Sequence, residues 1–268
     1  MLKILSLLAL ILSCTKSEVP EQLALSGKTM GTTFSVKYYP SEKTAPTQDL
    51  LKQIDQKLLA INTEMSTYMD QSEIEKFNKL KTTDSWFKIS PGFYWVIKTA
   101  MALAEKTDGV YDPTIGPLVD LWGFGAVKSK AVPSFDDIEK TKQRVGYQKL
   151  IVSEDQPMIR KTQSDLRIDL SSIAKGWAVD EVGRLLESNS IESYMVEIGG
   201  EIRTKGLKPD QTLWQLGVSS PDSKGFDSVQ KIILLQDAAL ATSGDYRNFF
   251  VVDGKRYAHV LDPRTGSP

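Results

Sequence analysis

The first clear pattern beyond residue 21 is an alternation of apolar and polar side chains. Polar residues separate the apolar Phe34, Val36 and Tyr38, and a period of two is typical of a half-buried β-strand. Gly27 and Gly31 lie around the turn region, where glycine tolerates the required backbone angles. The pattern therefore predicts a β-hairpin over Gln22–Tyr39.

Apolar spacing of three and four residues predicts helices further along. One helix opens at Pro46, a second at the Ser72–Glu75 capping box, and a third at Ser90–Pro91, since Ser and Pro favour helix starts. A fourth covers Phe135–Val145 and a fifth begins at Ser171. Short alternating runs predict strands at Tyr147–Val152, Met158–Lys161, Leu166–Leu170, Tyr194–Ile198, Trp214–Val218, Val229–Leu235 and Asn248–Val252. The mixture favours an α+β fold with a mainly antiparallel sheet and flanking helices.

Residues 110–125 interrupt this regularity. They mix aromatic residues with Gly and Pro and keep no sustained period, which is typical of a structured loop. Such a loop could line a pocket for an aromatic ring. Packing of Trp122 and Phe124 into the core is the alternative, which we favour for these two residues because large aromatic side chains are mostly buried.

Charge and composition exclude some classes of function. The chain has 268 residues, with 33 Lys and Arg against 34 Asp and Glu. This balance provides no basic field for nucleic acid and no polybasic surface for anionic lipid. Any phosphate must therefore be bound locally.

The N-terminus predicts export. Lys3 precedes the apolar run Ile4–Leu12, which is too short to span a bilayer, and Cys14, the only cysteine, follows it. We expect a lipoprotein signal peptide at 1–14 with Cys14 as the lipidation site, a polar tether at 15–21 and the folded domain at 22–268. A cleaved signal with an unmodified cysteine is the alternative.

Residues 167–180 change from alternation to helical spacing at Ser171–Ser172. A helix start presents free N–H groups, which together with Lys175 suit a pyrophosphate. A serine N-cap with a solvent-facing lysine would have the same sequence, so both interpretations stay open.

The segment Ala258–Gly266 contains His259, the only histidine of the chain. Histidine moves protons near neutral pH, and the guanidinium of Arg264 could hold a phosphate. Asp262 could orient His259 or the loop. An ordinary turn after a strand is the alternative interpretation.

Taken in order, several segments resemble the ApbE family of FAD:protein FMN transferases. The resemblance covers nearly the whole chain after the tether and implies a fold of the ApbE type, similar to the T-fold. The segments that carry it are Thr29–Thr32, Ser66–Tyr68, Tyr111–Pro117 with Leu121–Gly123, Asp169–Gly176, Gly199–Glu201, Ser243–Tyr246 and His259–Gly266.

The resemblance implies an exported, lipid-anchored bacterial enzyme that faces the periplasm or another extracytoplasmic space. With Mg²⁺ it would cleave FAD, transfer FMN to a Thr or Ser of an acceptor flavoprotein subunit in a membrane redox complex, and release AMP. A Mg²⁺-dependent FAD pyrophosphatase that yields FMN and AMP, a non-catalytic FAD-binding lipoprotein and a lipid-anchored structural protein are the alternatives.

The resemblance also implies roles for individual residues. His259 and Lys175 would be catalytic, and the backbone carbonyl of Ala174 would be a metal ligand. The FAD site would comprise Met30, Tyr68, Val110, Tyr111, Asp112, Ser171, Lys175, Trp177 and the Leu261 backbone.

Family members continue past this last motif with an Asp and a Thr for the metal, whereas the sequence printed here stops at Pro268. We therefore expect a C-terminally truncated domain whose remaining Mg²⁺ ligands lie beyond Pro268, because Mg²⁺ rarely binds through one carbonyl alone. In this 268-residue form the transferase would then be inactive.

Overall fold

The structure is a computed structural model that describes residues 20–125, 129, 131–219, 229–244 and 248–268. The predicted lipidation site Cys14 lies outside the described residues, as do Asp245 and Tyr246 of one family motif. The domain boundaries at 14 and 21 stay predictions.

Helices and strands alternate irregularly along the described part of the chain. The helices are α1 Thr47–Met65, α2 Glu73–Lys79, α3 Pro91–Lys106, α4 Gly116–Leu121, α5 Phe135–Lys142 and α6 Ser171–Ser188. The strands are β1 Leu23–Thr29, β2 Thr32–Tyr39, β3 Phe87–Lys88, β4 Leu150–Val152, β5 Met158–Lys161, β6 Ser193–Ile198, β7 Glu201–Lys205, β8 Trp214–Ser219, β9 Val229–Leu235, β10 Ala239–Leu240, β11 Phe249–Val252 and β12 Lys255–Ala258.

The strands form a five-stranded sheet in the order β1-β2-β6-β7-β10, a three-stranded sheet in the order β3-β5-β4, and the two hairpins β8-β9 and β11-β12. Every pairing among the described strands is antiparallel. The α+β class with antiparallel pairing is thus confirmed.

The main core lies between the five-stranded sheet and helices α1, α3 and α6. Apolar side chains of alternating strand positions meet the apolar faces of these helices, and burial of such surface stabilises the fold. A second cluster packs around α4 and consists of Leu118, Trp122, Phe124, Ile138, Val145, Phe250 and Leu261. This second cluster carries the C-terminal segment.

Several helix starts follow the predicted chemistry. The Ser72 hydroxyl accepts the Glu75 N–H at 3.2 Å, and the Ser90 hydroxyl accepts the Phe93 N–H at 3.3 Å. The capping box is only half formed, because the Glu75 carboxylate accepts instead from Asn78 and Arg167.

Three predictions of local structure were wrong. In the predicted strand Tyr147–Val152, residues Tyr147–Lys149 form a 3₁₀-helix and only Leu150–Val152 is a strand. The segment Leu166–Leu170 is not a strand, although every second side chain in it is buried. The alternating pattern therefore indicated which side chains are buried, but not that the segment pairs with a strand. The stretch 110–125 is not loop throughout, because it contains α4. The expected core positions of Trp122 and Phe124 are confirmed. Within the described ranges, no helix is both long and apolar enough to cross a membrane.

Candidate active site

Two glycine-containing turns meet at one end of the five-stranded sheet. Met30 and Gly31 form the two-residue turn between β1 and β2, both with positive φ, which is the geometry of tight hairpin turns. The Gly199 N–H, in the turn between β6 and β7, donates to the Thr33 carbonyl at 3.2 Å. A Cβ at Gly199 would lie 2.7 Å from Thr32, so this close approach requires glycine.

The start of α6 lies next to these turns. Its first residues, Ser171 and Ser172, are exposed, and the Ser171 N–H donates to the Asp169 carboxylate at 2.8 Å. The helix has no acidic residue in its first turn. The positive end of the helix dipole therefore lies at this start, where the Asp169 carboxylate offsets part of it.

Lys175 is fixed between α6 and the β6–β7 turn. Its Nζ lies 2.8 Å from the Glu201 carboxylate and 3.4 Å from the Gly199 carbonyl oxygen. The lysine is therefore not a freely solvated side chain, because its ammonium is paired with Glu201 at the β6–β7 turn.

The segment around Tyr111 contacts the same helix start. The Tyr111 hydroxyl lies 3.5 Å from the Ser172 hydroxyl, and the Pro113 carbonyl accepts the Asp169 N–H at 2.8 Å. Burial raises the pKa of the Tyr111 phenol, so it remains a neutral donor at physiological pH. Val110 is exposed beside it.

Asp112 is buried, and both of its carboxylate oxygens are used locally. One accepts the Thr114 N–H and hydroxyl at 2.8 and 2.6 Å, and the other accepts the Tyr147 N–H at 2.9 Å. Burial raises its pKa. These bonds assign Asp112 to shaping the loop, and its predicted contact with FAD stays a prediction.

Two aromatic residues flank this region. Tyr68 follows α1 and is 67% exposed. The pKa of its phenol is raised by desolvation and then by the carboxylates of Asp169 and Asp120. Trp177 stacks on Trp95 of α3, with ring centroids 4.7 Å apart.

His259 lies just after β12, next to Phe124 of the second cluster. Its backbone N–H donates to the Asn248 carbonyl at 3.1 Å, and its Nδ1 lies 3.2 Å from the same oxygen. An imidazole nitrogen that faces a carbonyl carries the proton, so Nε2 is the basic nitrogen of the neutral ring. Phe124 packs its ring edge-on against His259, with centroids 6.3 Å apart.

The carboxylate of Asp262 pairs with Arg264, not with His259. The Arg264 Nη2 and Nε approach the two carboxylate oxygens at 2.7 and 3.0 Å. Hydrogen bonds from Arg264 lower the pKa of Asp262 to about 2. Of the two roles left open for Asp262, the structure supports orientation of the loop. The guanidinium of Arg264 is already paired with this carboxylate.

The stretch 110–125 connects the two groups of candidate residues. Its beginning contacts the start of α6, and its end packs Trp122 and Phe124 into the cluster that contains Leu261. The Trp122 Nε1 also donates to the Gly266 carbonyl at 2.8 Å. Sequence order alone did not identify this connection.

Some contributors were not found from sequence. Asn78 and Lys161 hold the segment before α6, and Glu201 holds Lys175. A signal existed for Lys161, because strand alternation places it on the same face as buried Ile159. Asn78 had no comparable signal.

The described residues do not form a Mg²⁺ site by themselves. Ala174 lies inside the first turns of α6, where a backbone carbonyl already accepts a helical hydrogen bond. Within the described ranges, no group of three His, Cys, Asp or Glu side chains is arranged to hold a metal. One carbonyl is far from the six oxygen ligands that Mg²⁺ requires.

Known proteins resemble this chain over most of its length. An FAD:protein FMN transferase of Vibrio cholerae is 43% identical over 265 residues, which cover 98% of this chain and 78% of the relative. The enzyme of the same name from Escherichia coli K12 is 34% identical, over 94% of this chain and 72% of the relative.

Solved structures agree as well. The flavin transferase ApbE of Vibrio cholerae matches with a TM-score of 0.84 at 43% identity, over 93% of this chain and 78% of that one. The ApbE protein of Thermotoga maritima matches with a TM-score of 0.81 at 33% identity, over 92% and 78%. The ApbE family model matches residues 30–268, and the chain therefore belongs to the ApbE family.

Proposed function

We propose that this protein transfers FMN from FAD to the side-chain hydroxyl of a threonine or serine in an acceptor protein and releases AMP. Its curated relatives are FAD:protein FMN transferases. The observation in this chain that supports the proposal best is that Lys175, in the second turn of α6, has its ammonium held at the β6–β7 turn by Glu201 and the Gly199 carbonyl. A helix start with a fixed cation matches the charge of a pyrophosphate.

The reaction breaks one P–O bond of the pyrophosphate. The acceptor oxygen forms a new bond to the phosphorus of FMN, AMP leaves with the bridging oxygen, and the hydroxyl proton passes to a base. Catalysis of such a transfer is mostly positioning and charge stabilisation. Lys175 and the N–H groups at the start of α6 supply positive charge, and the Tyr111 hydroxyl beside Ser172 adds a neutral donor.

His259 is the proposed base. Because its Nδ1 faces the Asn248 carbonyl, Nε2 is left with the lone pair that accepts the hydroxyl proton. A positioned base of this kind contributes about 10²–10⁴ in rate. Phe124 packs against the ring and limits its orientation.

The proposal includes Mg²⁺ because the resemblance to the ApbE family implies it. Bound at the site, it would offset the negative charge of the phosphates. The described residues offer the Ala174 carbonyl and no complete ligand set, so the roles of Lys175 and His259 are derived without it.

Location and acceptor are also part of the proposal. Export with lipidation at Cys14 would place the domain on the extracytoplasmic side of a bacterial membrane, tethered by residues 15–21. A flavoprotein subunit of a membrane redox complex would be reached from there. Mass spectrometry of membrane fractions would identify acyl chains on Cys14, and an unmodified N-terminus would remove this part of the proposal.

The activity is tested by mixing the full-length gene product with FAD, Mg²⁺ and a candidate acceptor domain, followed by measurement of acceptor mass and AMP. A gain of one FMN unit together with AMP supports the transferase. Free FMN and AMP without acceptor modification would identify a pyrophosphatase. Intact FAD with every acceptor tried would contradict the proposal and favour a binding protein.

A further inference from the structure

The segment Leu166–Leu170 leads directly into α6 and pairs with none of the described strands. Leu166, Ile168 and Leu170 are buried, so water does not compensate their backbone groups. Buried N–H and C=O groups nearly always find a hydrogen-bond partner. Side chains from α2 and β5 provide the partners of Ile168 and of the Leu166 carbonyl.

Asn78 of α2 pairs with both backbone groups of one residue. Its Oδ1 accepts the Ile168 N–H at 2.7 Å, and its Nδ2 donates to the Ile168 carbonyl at 3.0 Å. This two-point contact repeats the pairing of a neighbouring strand. The same Nδ2 donates to the Glu75 carboxylate at 3.0 Å, which fixes the orientation of the amide.

Lys161 of β5 holds the beginning of the same segment. Its Nζ donates to the carbonyls of Phe77, Asn78 and Leu166 at 3.1, 3.2 and 3.3 Å. The three donors of the ammonium thus meet three acceptors, although the residue is only 1% exposed. Two of these carbonyls lie at the end of α2, where a positive charge is favourable.

The contacts continue without a gap into the candidate active site. Directly after Ile168, the Asp169 N–H donates to the Pro113 carbonyl, and the Asp169 carboxylate accepts the Ser171 N–H, both at 2.8 Å. A displacement of Ile168 would therefore move the start of α6 and the segment next to Tyr111 together.

We propose that Asn78 and Lys161 are positioning residues for FAD: by clamping Leu166–Leu170 they fix the start of α6 at the place where the pyrophosphate binds. The inference rests on the proposed function. It assigns to two buried polar side chains a role in the reaction, although neither reaches the site itself.

Asn78→Asp is the sharper variant. It keeps an oxygen for the Ile168 N–H but replaces the donor with a second oxygen, which would face the Ile168 carbonyl and the Glu75 carboxylate. Lys161→Met removes the ammonium from three carbonyls, of which that of Phe77 still accepts the Leu80 N–H, and it perturbs folding more strongly. If Lys161→Met does not fold, Asn78→Asp still tests the proposal.

Asn189→Asp is the matched control. The Asn189 Nδ2 also makes two hydrogen bonds, to Gln53 and to the Leu185 carbonyl at 3.1 and 3.0 Å. It lies at the opposite end of α6, roughly 27 Å from the start at 1.5 Å per residue. Its loss should lower the melting temperature without changing FAD affinity.

The readouts are the Kd for FAD from flavin fluorescence without Mg²⁺, the kcat and KM of transfer, and the melting temperature, all with the full chain. Binding and kinetics are measured well below the melting transition. We expect Asn78→Asp to raise the Kd and KM for FAD about tenfold, the equivalent of one charge-assisted hydrogen bond, while Asn189→Asp stays at the wild-type value.

A lower melting temperature with unchanged Kd and KM in Asn78→Asp would show a purely structural role and overturn the inference. Wild-type protein that neither binds FAD nor modifies an acceptor would instead refute the proposed function itself. The two failures are therefore distinguishable in one experiment.

Discussion

The α6 region and the His259 region, which together make the candidate site, are held by different forces. In the α6 region, Leu166–Lys175, buried hydrogen bonds from Asn78 and Lys161 and the ion pair of Lys175 add to the apolar packing of Leu166, Ile168 and Leu170. The His259 region, Phe249–Pro268, packs mainly through rings: Tyr257 lies against Trp122 and Phe250 at centroid distances of 5.4 and 5.5 Å.

The outer faces differ as well. Phe249, Val251 and Val260 of the His259 region are exposed. In the segment before α6, by contrast, every second side chain is buried, namely Leu166, Ile168 and Leu170. Hydrogen bonds fix direction more strictly than apolar packing does. We therefore expect the α6 region to determine FAD affinity and the His259 region to determine the rate of proton transfer, so that mutations separate the two properties.

Replacement of His259 by Ala should have the largest effect. Loss of the base lowers kcat of transfer by about 10²–10⁴, while the Kd for FAD remains unchanged because the contacts of α6 are untouched. Single-turnover transfer and flavin fluorescence measure the two quantities. An equal loss of rate and affinity would break the separation between the regions.

Replacement of Lys175 by Met should lower the affinity for FAD rather than the rate of proton transfer. Loss of the ammonium weakens FAD binding by roughly 10–100-fold, the equivalent of a charged hydrogen bond or two. Lys57→Met is the matched control. Lys57 of α1 pairs at 3.0 Å with Glu181, which lies further along α6 than Lys175 does. If both variants bind FAD equally well, the start of α6 is not the pyrophosphate site.

Replacement of Trp122 by Phe tests the His259 region through its hydrogen bond. The variant keeps ring packing but loses the Nε1–H donor to Gly266, at a cost of about 1–3 kcal/mol for a buried unpaired carbonyl. We expect a lower melting temperature and a few-fold lower kcat with unchanged Kd for FAD. These are measured by thermal denaturation and transfer assays.

Trp214→Phe provides the comparison, since the Trp214 Nε1 donates at 3.2 Å to the Lys205 carbonyl in a different cluster. It should destabilise the protein without slowing transfer. A similar loss of kcat in both variants would mean that Trp122 acts through global stability alone.

Local signals explain what the sequence predicted. Ser72 and Ser90 cap helices, and the Met30–Gly31 turn joins two alternating strands, because each depends on a few neighbouring residues. The α+β class follows from such signals together. The family motifs then identified candidate residues that belong to distant parts of the chain.

Contacts across long separations explain what the sequence did not predict. Asn78 meets Ile168, 90 positions later, and Trp122 meets Gly266, 144 positions later. Neither pattern nor propensity encodes such a pair. The prediction of a strand at Leu166–Leu170 was wrong for the same reason. Its alternating pattern fits a strand, but backbone groups of Leu166 and Ile168 bond to distant side chains.

Asp262 gives the smallest prediction and the most direct test of how the His259 region is built. In the folded protein hydrogen bonds from Arg264 lower its pKa to about 2, below the value of about 3.9 expected for an unfolded chain. The pair therefore contributes stability above about pH 4 that is lost as the pH falls towards 2, and only weakly, because exposed charges are screened. Arg264→Gln should raise the Asp262 pKa, measured by carboxyl ¹³C NMR, and should leave transfer by His259 unchanged. A slower transfer in this variant would mean that the loop, and not only Asn248 and Phe124, positions the imidazole.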